Sequence, residues 1–178
     1  MPGIDETATF YPLNMAVLTV SDTRDMESDT SGKLLAERLS AAGHKLVDRA
    51  LVRDDIDAIQ TQLKAWIADP DVEIILTTGG TGFSPRDTTP EAVRPLLTRE
   101  MDGFSILFHQ KSMQSVGVAT MQSRAFAGQA GDSFIFCIPG STGACRDAWD
   151  GLLEVECDSR HKPCSIAGAL PRLREVCA

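Results

Sequence analysis

The chain has 178 residues, 43% of them hydrophobic and 24% charged, and a formal net charge of −8. That length supports one domain with a buried core that needs no disulfide or metal staple, and the ordinary composition excludes a disordered or fibrous chain. The acidic balance excludes broad binding to nucleic acid, which requires a basic face that displaces counterions, so any anionic ligand must be held locally by loop amides, one or two arginines or a bridging metal.

The first residues, "MPGIDETATFYP", lack the basic start and apolar block of a signal peptide, and no later stretch reaches the roughly 18 apolar residues that span a bilayer. The expectation is a cytoplasmic protein without a membrane partner: a flexible segment over 1–12, then a single domain over 13–178 that ends in a C-terminal arm from about 154. Four apolar runs read as buried strands, namely Met15 to Val20, the more alternating Leu46 to Val52, Val72 to Leu76, and Phe134 to Ile138. Between the first two, Leu34, Leu35, Leu39 and Ala42 repeat at helical spacing and Gly43 supplies a stop. Ile56, Ile59, Leu63, Trp66 and Ile67 form a second apolar helix face, ended by Asp69-Pro70.

After the third strand, "TTPEAV" predicts a helix start with Thr89 as cap, Pro90 in the first turn and Glu91 at the positive end of the dipole, while Pro95 keeps that helix short or kinked. Gly103 to Met113 reads as a helix, and "VGVATMQSRAFAGQAGDSF" has the punctuation of a hairpin or excursion. A last long helix is predicted from about Thr142 to Leu153. Strands alternating with helices predict an α/β fold with a mostly parallel sheet. The five cysteines, Cys137, Cys145, Cys157, Cys164 and Cys177, form no C-x-x-C pair and are expected to be free thiols.

In such sheets ligands gather beyond the carboxyl ends of the strands. The third such loop, "TTGGTGFSPRD", lacks Cβ atoms at Gly79, Gly80 and Gly82, so its amides can close on an anion; a plain tight turn is the alternative. It has neither the Walker spacing and lysine nor G-x-G-x-x-G. The fourth, "IPGSTG", places Ser141 at a helix N-terminus, where it serves an anion or only caps the helix. Asp54 and Asp87 would share one rim, a pairing that suits Mg2+ held by carboxylates and phosphate oxygens. Singly, Asp54 or Asp55 caps the next helix, Asp87 stabilises a turn and Arg86 is either a phosphate partner or a solvated arginine. His44, His109 and His161 offer no evident base for a serine nucleophile.

Together, "LTVSDTR", "SDTSG", "AGH", "LVRDD", "ILTTGGTGFSPRDTTPEAV", "REMDGF", "MQSRAFAG" and "IPGSTGACRDAW" resemble, in order, the MoaB/MogA family of molybdenum cofactor biosynthesis proteins over about Met15 to Leu153. The tail "CDSRHKPCSIAGAL" is more similar to its MoaB branch. The resemblance implies a three-layer α/β/α domain that binds molybdopterin, works with other proteins of that pathway and assembles as a homo-oligomer, a trimer or a hexamer. It also implies Mg2+-dependent adenylylation, with ATP as co-substrate and molybdopterin as substrate. By position, Asp54 and Asp87 match the functional aspartates and metal ligands. Gly79, Gly80, Thr81 and Gly82 match the phosphate loop, with Arg86 beside it, and Pro139, Gly140 and Ser141 match the second binding loop. Ser21, Asp22 and Asp29 lie in the first loop as weaker candidates. The rival reading is a carrier with the same pocket and no turnover, and a nucleotide-hydrolysing regulator ranks last for want of the Walker lysine.

Overall fold

The structure is a computed structural model and describes residues 3–173. Cys177 lies outside the described residues. The strands are β1 (Gly3–Ile4), β2 (Asn14–Val20), β3 (Lys45–Val52), β4 (Ile74–Thr78), β5 (Arg99–Glu100), β6 (Phe126–Ala130), β7 (Ser133–Ile138) and β8 (His161–Lys162). The helices are α1 (Thr30–Ala41), α2 (Ile56–Ile67), α3 (Thr89–Val93), α4 (Asp102–Val116), α5 (Thr142–Ala148), α6 (Glu154–Glu156) and α7 (Ile166–Leu173). Six strands form one sheet in the order β3-β2-β4-β7-β6-β5, in which β3, β2, β4 and β7 run parallel and β6 runs against both of its neighbours.

The central strands are covered on both faces, which is why they read as unbroken apolar runs. Met15, Val17, Leu76, Phe136 and Ile138 pack with Leu35, Leu39, Phe108 and Trp149 of α1, α4 and the turn after α5. Ala16, Leu18, Val20, Ile75 and Ile135 pack on the other side with Ile59, Leu63 and Trp66 of α2 and with Ala92 and Val93 of α3. This is the expected α/β/α sandwich. Trp149, at the centre of the first layer, opens a π-helical turn over Trp149–Leu153 that continues α5, so the last helix is one path with a local bulge.

Three expectations change. The third strand begins and ends two residues later than its apolar run, because Thr77 and Thr78 are β-branched and fully buried, and Thr78 satisfies its hydroxyl by donating to the Pro139 carbonyl (3.0 Å). The second strand is an edge strand rather than a buried one, with Leu46 and Val47 exposed. Thr89 does not cap its helix: Thr88 stands at that position and Thr89 lies buried inside the first turn. Pro95 does shorten that helix, which tightens into a 3-10 turn over Arg94–Leu96.

The two ends of the described chain meet. Gly3–Ile4, within the stretch expected as a flexible segment, pairs antiparallel with His161–Lys162, and α7 folds back so that Ala167 and Leu170 join the Trp149 side of the core. The arm from about 154 is therefore packed on its own domain up to residue 173. Cys137, Cys145 and Cys157 are buried free thiols and Cys164 is an exposed one. Among the described residues no helix is long and apolar enough to cross a membrane.

His44, buried beyond the end of α1, accepts a hydrogen bond at Nδ1 from the Leu13 amide (3.2 Å) and touches the rings of Phe10 and Trp149. Burial holds its pKa below the ordinary 6.5, against an upward pull from Asp158. The unfolded chain takes up a proton near 6.5 that the folded chain refuses until lower pH, so this contribution is complete above 6.5 and is lost as pH falls below it. Melting curves taken from about pH 7 down to about pH 5 are expected to show a falling Tm in the wild type and a flatter line in His44→Gln.

Candidate functional site

The order in which strands are added to the sheet reverses between β2 and β4, since β3 lies on one side of β2 and β4 on the other. At the carboxyl ends of β2, β4 and β7 three loops converge on a cleft of about 380 Å3. Its wall includes Ser21 and Arg24 after β2, Gly79 to Gly82 and Asp87 after β4, and Pro139, Gly140 and Ser141 after β7. A fourth segment, Gln122 and Ser123 ahead of β6, closes the side.

The two glycine-bearing turns touch. A Cβ on Gly140 would stand 3.1 Å from the Gly79 Cα, so the second turn rests on the first. Their carbonyl oxygens are all engaged by the protein. Thr89 donates to Gly79 O through its hydroxyl (2.8 Å) and to Gly80 O through its amide (3.0 Å). Arg124 donates to Thr81 O through its amide (2.9 Å) and to Gly82 O through Nε (2.8 Å). Thr78 holds Pro139 O and Ser31 holds Gly140 O (2.8 Å). With these acceptors used up and the Gly79 amide donating to Ile138 O (3.1 Å), what the turns offer an anion is the remaining N–H groups.

Ser141 begins α5 and accepts from the Ala144 amide (3.1 Å), so it is a cap, and it lines the cleft as well. The choice between Asp54 and Asp55 is resolved in the same way: Asp55 caps α2 by accepting from the Ala58 amide (2.8 Å), which leaves Asp54 without that duty. Asp54 stands behind Gly80, whose added Cβ would lie 2.7 Å from its Oδ1. That oxygen is buried without a hydrogen-bond partner. Burial raises the Asp54 pKa, and the charges of Asp22 and Asp87 raise it further, against the Asp22 backbone contact and Arg86. Asp87 lies across from Gly82 and accepts from the Ser84 amide (2.8 Å).

The donor set fits Mg2+. An unpaired buried carboxylate oxygen in like-charged company suits a cation, and a second carboxylate stands at the cleft. Among the described residues no three His, Cys, Asp or Glu side chains converge on a metal position, which suits an ion that takes one or two carboxylates and completes its shell with phosphate oxygens and water.

Asp22, Asp54 and Arg86 do not line the cleft; Asp22 accepts from the Asp54 amide (3.3 Å), and the exposed Arg86 follows the glycine turn. Asp29, another of the weaker first-loop candidates, is a buried cap of α1 that is held by Arg49 (2.8 Å). Sequence reasoning passed over Arg24 and Arg124, although both stand in quoted blocks, "LTVSDTR" and "MQSRAFAG". Arg124 ties the glycine loop down, since it also donates to Asp87 O (2.7 Å), pairs with Glu91 and lies against the Phe83 ring. An arginine just ahead of an apolar strand carries no local signal of such a role.

A family model described as a probable molybdopterin binding domain matches residues 16–158. The molybdenum cofactor biosynthesis protein B of Escherichia coli (strain K12) is 46% identical over 157 residues, which is 88% of this chain and 92% of that protein. A crystal structure of a molybdenum cofactor biosynthesis protein B superposes with a TM-score of 0.79 at 42% identity, covering 82% of this chain and 91% of the other. The molybdopterin biosynthesis Mog protein of Mycobacterium ulcerans superposes with a TM-score of 0.72 at 27% identity, covering 90% and 99%. Extent, identity and fold agree: the chain belongs to the MoaB/MogA family of molybdenum cofactor biosynthesis proteins.

Proposed function

We propose that the chain binds molybdopterin and transfers the adenylyl group of ATP to it. A terminal phosphate oxygen of the pterin attacks the α-phosphorus of ATP, a new P–O bond forms, and the bond to the β-phosphate breaks to release pyrophosphate. Such a reaction needs no protein nucleophile, only alignment and neutralisation of charge, in keeping with a cleft whose lining among the described residues includes no histidine. The observation that carries the reading is the contact between two turns whose carbonyls are all withdrawn, which gives two phosphoryl groups a shared floor.

In this reading the turn of Gly79, Gly80, Thr81 and Gly82 receives one set of phosphate oxygens through the amides of Gly80, Thr81 and Gly82, and the turn of Pro139, Gly140 and Ser141 receives the other through Gly140 and Ser141, with Ser21 on the near wall. Asp54 and Asp87 hold Mg2+, which neutralises the departing pyrophosphate when it is bound. Asp22 fixes the Asp54 backbone, and Arg86 tempers the carboxylate pair from the rim. Exposed Ile106, Met113 and Val116 on α4, with Val118 and Met121 just after it, form an apolar face that suits a homo-oligomer, a trimer or a hexamer.

Purified protein given molybdopterin and Mg-ATP is expected to release one pyrophosphate for each pterin modified, and none when either pterin or Mg2+ is left out. Tight pterin binding without pyrophosphate release would replace the transferase with a carrier that uses the same cleft.

A further inference from the structure

We propose that Arg24 is the cation that binds phosphate in this cleft, and that Ser31 couples its position to the Pro139–Ser141 turn. The inference deepens the adenylylation reading and rests on it for the identity of the natural ligand. An acidic protein that gathers phosphates needs a local positive charge. Arg124 has its guanidinium spent on Gly82 O, Asp87 O and Glu91, and Arg86 stands outside the cleft wall. Among the described residues that line the cleft, Arg24 is the one cation, and its side chain is 33% exposed, enough to meet a ligand.

The charge of Arg24 is not consumed from behind. Its nearest acid, Asp29, is fully buried and is already held by Arg49, whose Nη2 donates to Asp29 Oδ2 (2.8 Å) and to the Asp29 carbonyl (3.1 Å), and by the Thr19 hydroxyl (2.6 Å). Arg24 approaches the same carboxylate only to 3.9 Å. One carboxylate between two guanidinium groups leaves a positive charge over, and it lies on the cleft side.

A buried relay leads from Arg24 to the second turn. Arg24 Nη1 donates to Ser31 Oγ (2.9 Å), and Ser31, itself wholly buried, donates to Gly140 O (2.8 Å). Fixing Arg24 therefore fixes the Ser31 hydroxyl, which turns the Gly140 carbonyl away from the ligand. Arginine suits this position because its planar fork can bond Ser31 on one edge and phosphate oxygens on another.

The test measures binding of inorganic pyrophosphate, in the presence of Mg2+, by titration calorimetry. Arg24→Met is expected to weaken binding about 10-fold or more and to flatten its salt dependence, Arg24→Lys to recover part of it, and Lys64→Met, which removes one exposed charge from α2, to change nothing. Ser31→Ala is expected to weaken binding too, and Arg24→Met/Ser31→Ala to be no weaker than Arg24→Met alone. Unchanged binding in folded Arg24→Met, or additive losses in the double variant, overturns the proposal. If Arg24→Met does not fold, the wild type decides: pyrophosphate is expected to protect Arg24 from phenylglyoxal modification, and equal modification with and without it overturns the proposal. A protein with Arg24-dependent binding and no adenylyl transfer would overturn the adenylylation reading alone, whereas transfer with Arg24-independent binding would overturn this one alone.

Discussion

Asp54→Asn is expected to raise the melting temperature of the free protein and to lower the proposed Mg2+-dependent adenylyl transfer by at least about 100-fold. The two effects share one cause. The Asp54 carboxylate is partly buried, lacks a partner at Oδ1 and faces the charges of Asp22 and Asp87, so its pKa is raised above the ordinary 3.8. The unfolded carboxyl ionises near 3.8, whereas the folded one ionises only at higher pH. The folded state is therefore penalised at neutral pH, and the penalty is relieved as pH falls through the folded value. An amide of the same shape removes the penalty, and each kcal/mol so recovered is worth about 2–4 °C in a chain of this size. Melting curves should show the gain at neutral pH and its disappearance below pH 3.8, where the carboxyl is protonated in the folded and the unfolded chain alike. Added Mg2+ and nucleotide should stabilise the wild type and leave the variant unmoved. A gain that persists at low pH would assign it to packing, and full turnover in the variant would remove the metal from Asp54.

Gly79→Ala is expected to be the most destabilising change in the glycine turn, at about 3–5 kcal/mol, or roughly 6–20 °C in Tm. Gly79 has φ of +107°, a region closed to residues with a Cβ, and an added Cβ would run into the backbone carbonyl oxygen of Val20. Val20 ends β2 at the centre of the sheet, so its carbonyl cannot withdraw without moving the strand. Gly103→Ala is the contrast: it is exposed on α4 with nothing within 4 Å of a new Cβ, and a gain of about 0.5–1 kcal/mol is expected there. Thermal melts of the two variants side by side give the answer. A mild effect at Gly79 would mean that the glycine turn can move off the end of β2 without cost.

The sheet was legible because burial on both faces leaves a local imprint. Met15 to Val20 is apolar but for Thr19 and Phe134 to Ile138 is apolar throughout, and the strands found there begin within one residue of those runs. The hairpin of β6 and β7 was marked by Gly131, whose φ of +58° makes the turn. The edge position of β3 was hidden, since an edge strand that keeps Leu46 and Val47 exposed looks in sequence like half of a buried one.

The site divides along the same line. The sequence by itself determined which turns lack Cβ atoms, where acidic residues follow strands and which family the chain resembles, because backbone freedom and motif spacing are properties of neighbours along the chain. Only the tertiary structure decided which donors hold the loop carbonyls, that Asp55 rather than Asp54 caps α2, that Thr89 braces the glycine turn, and that Arg24 rather than Arg86 lines the cleft. The partners in those choices lie far apart in sequence: Ser31 meets Gly140 and Arg124 meets Gly82. Sheet packing selects among several equally suitable polar side chains by bringing one of them within hydrogen-bond reach, and no local pattern records which one arrives.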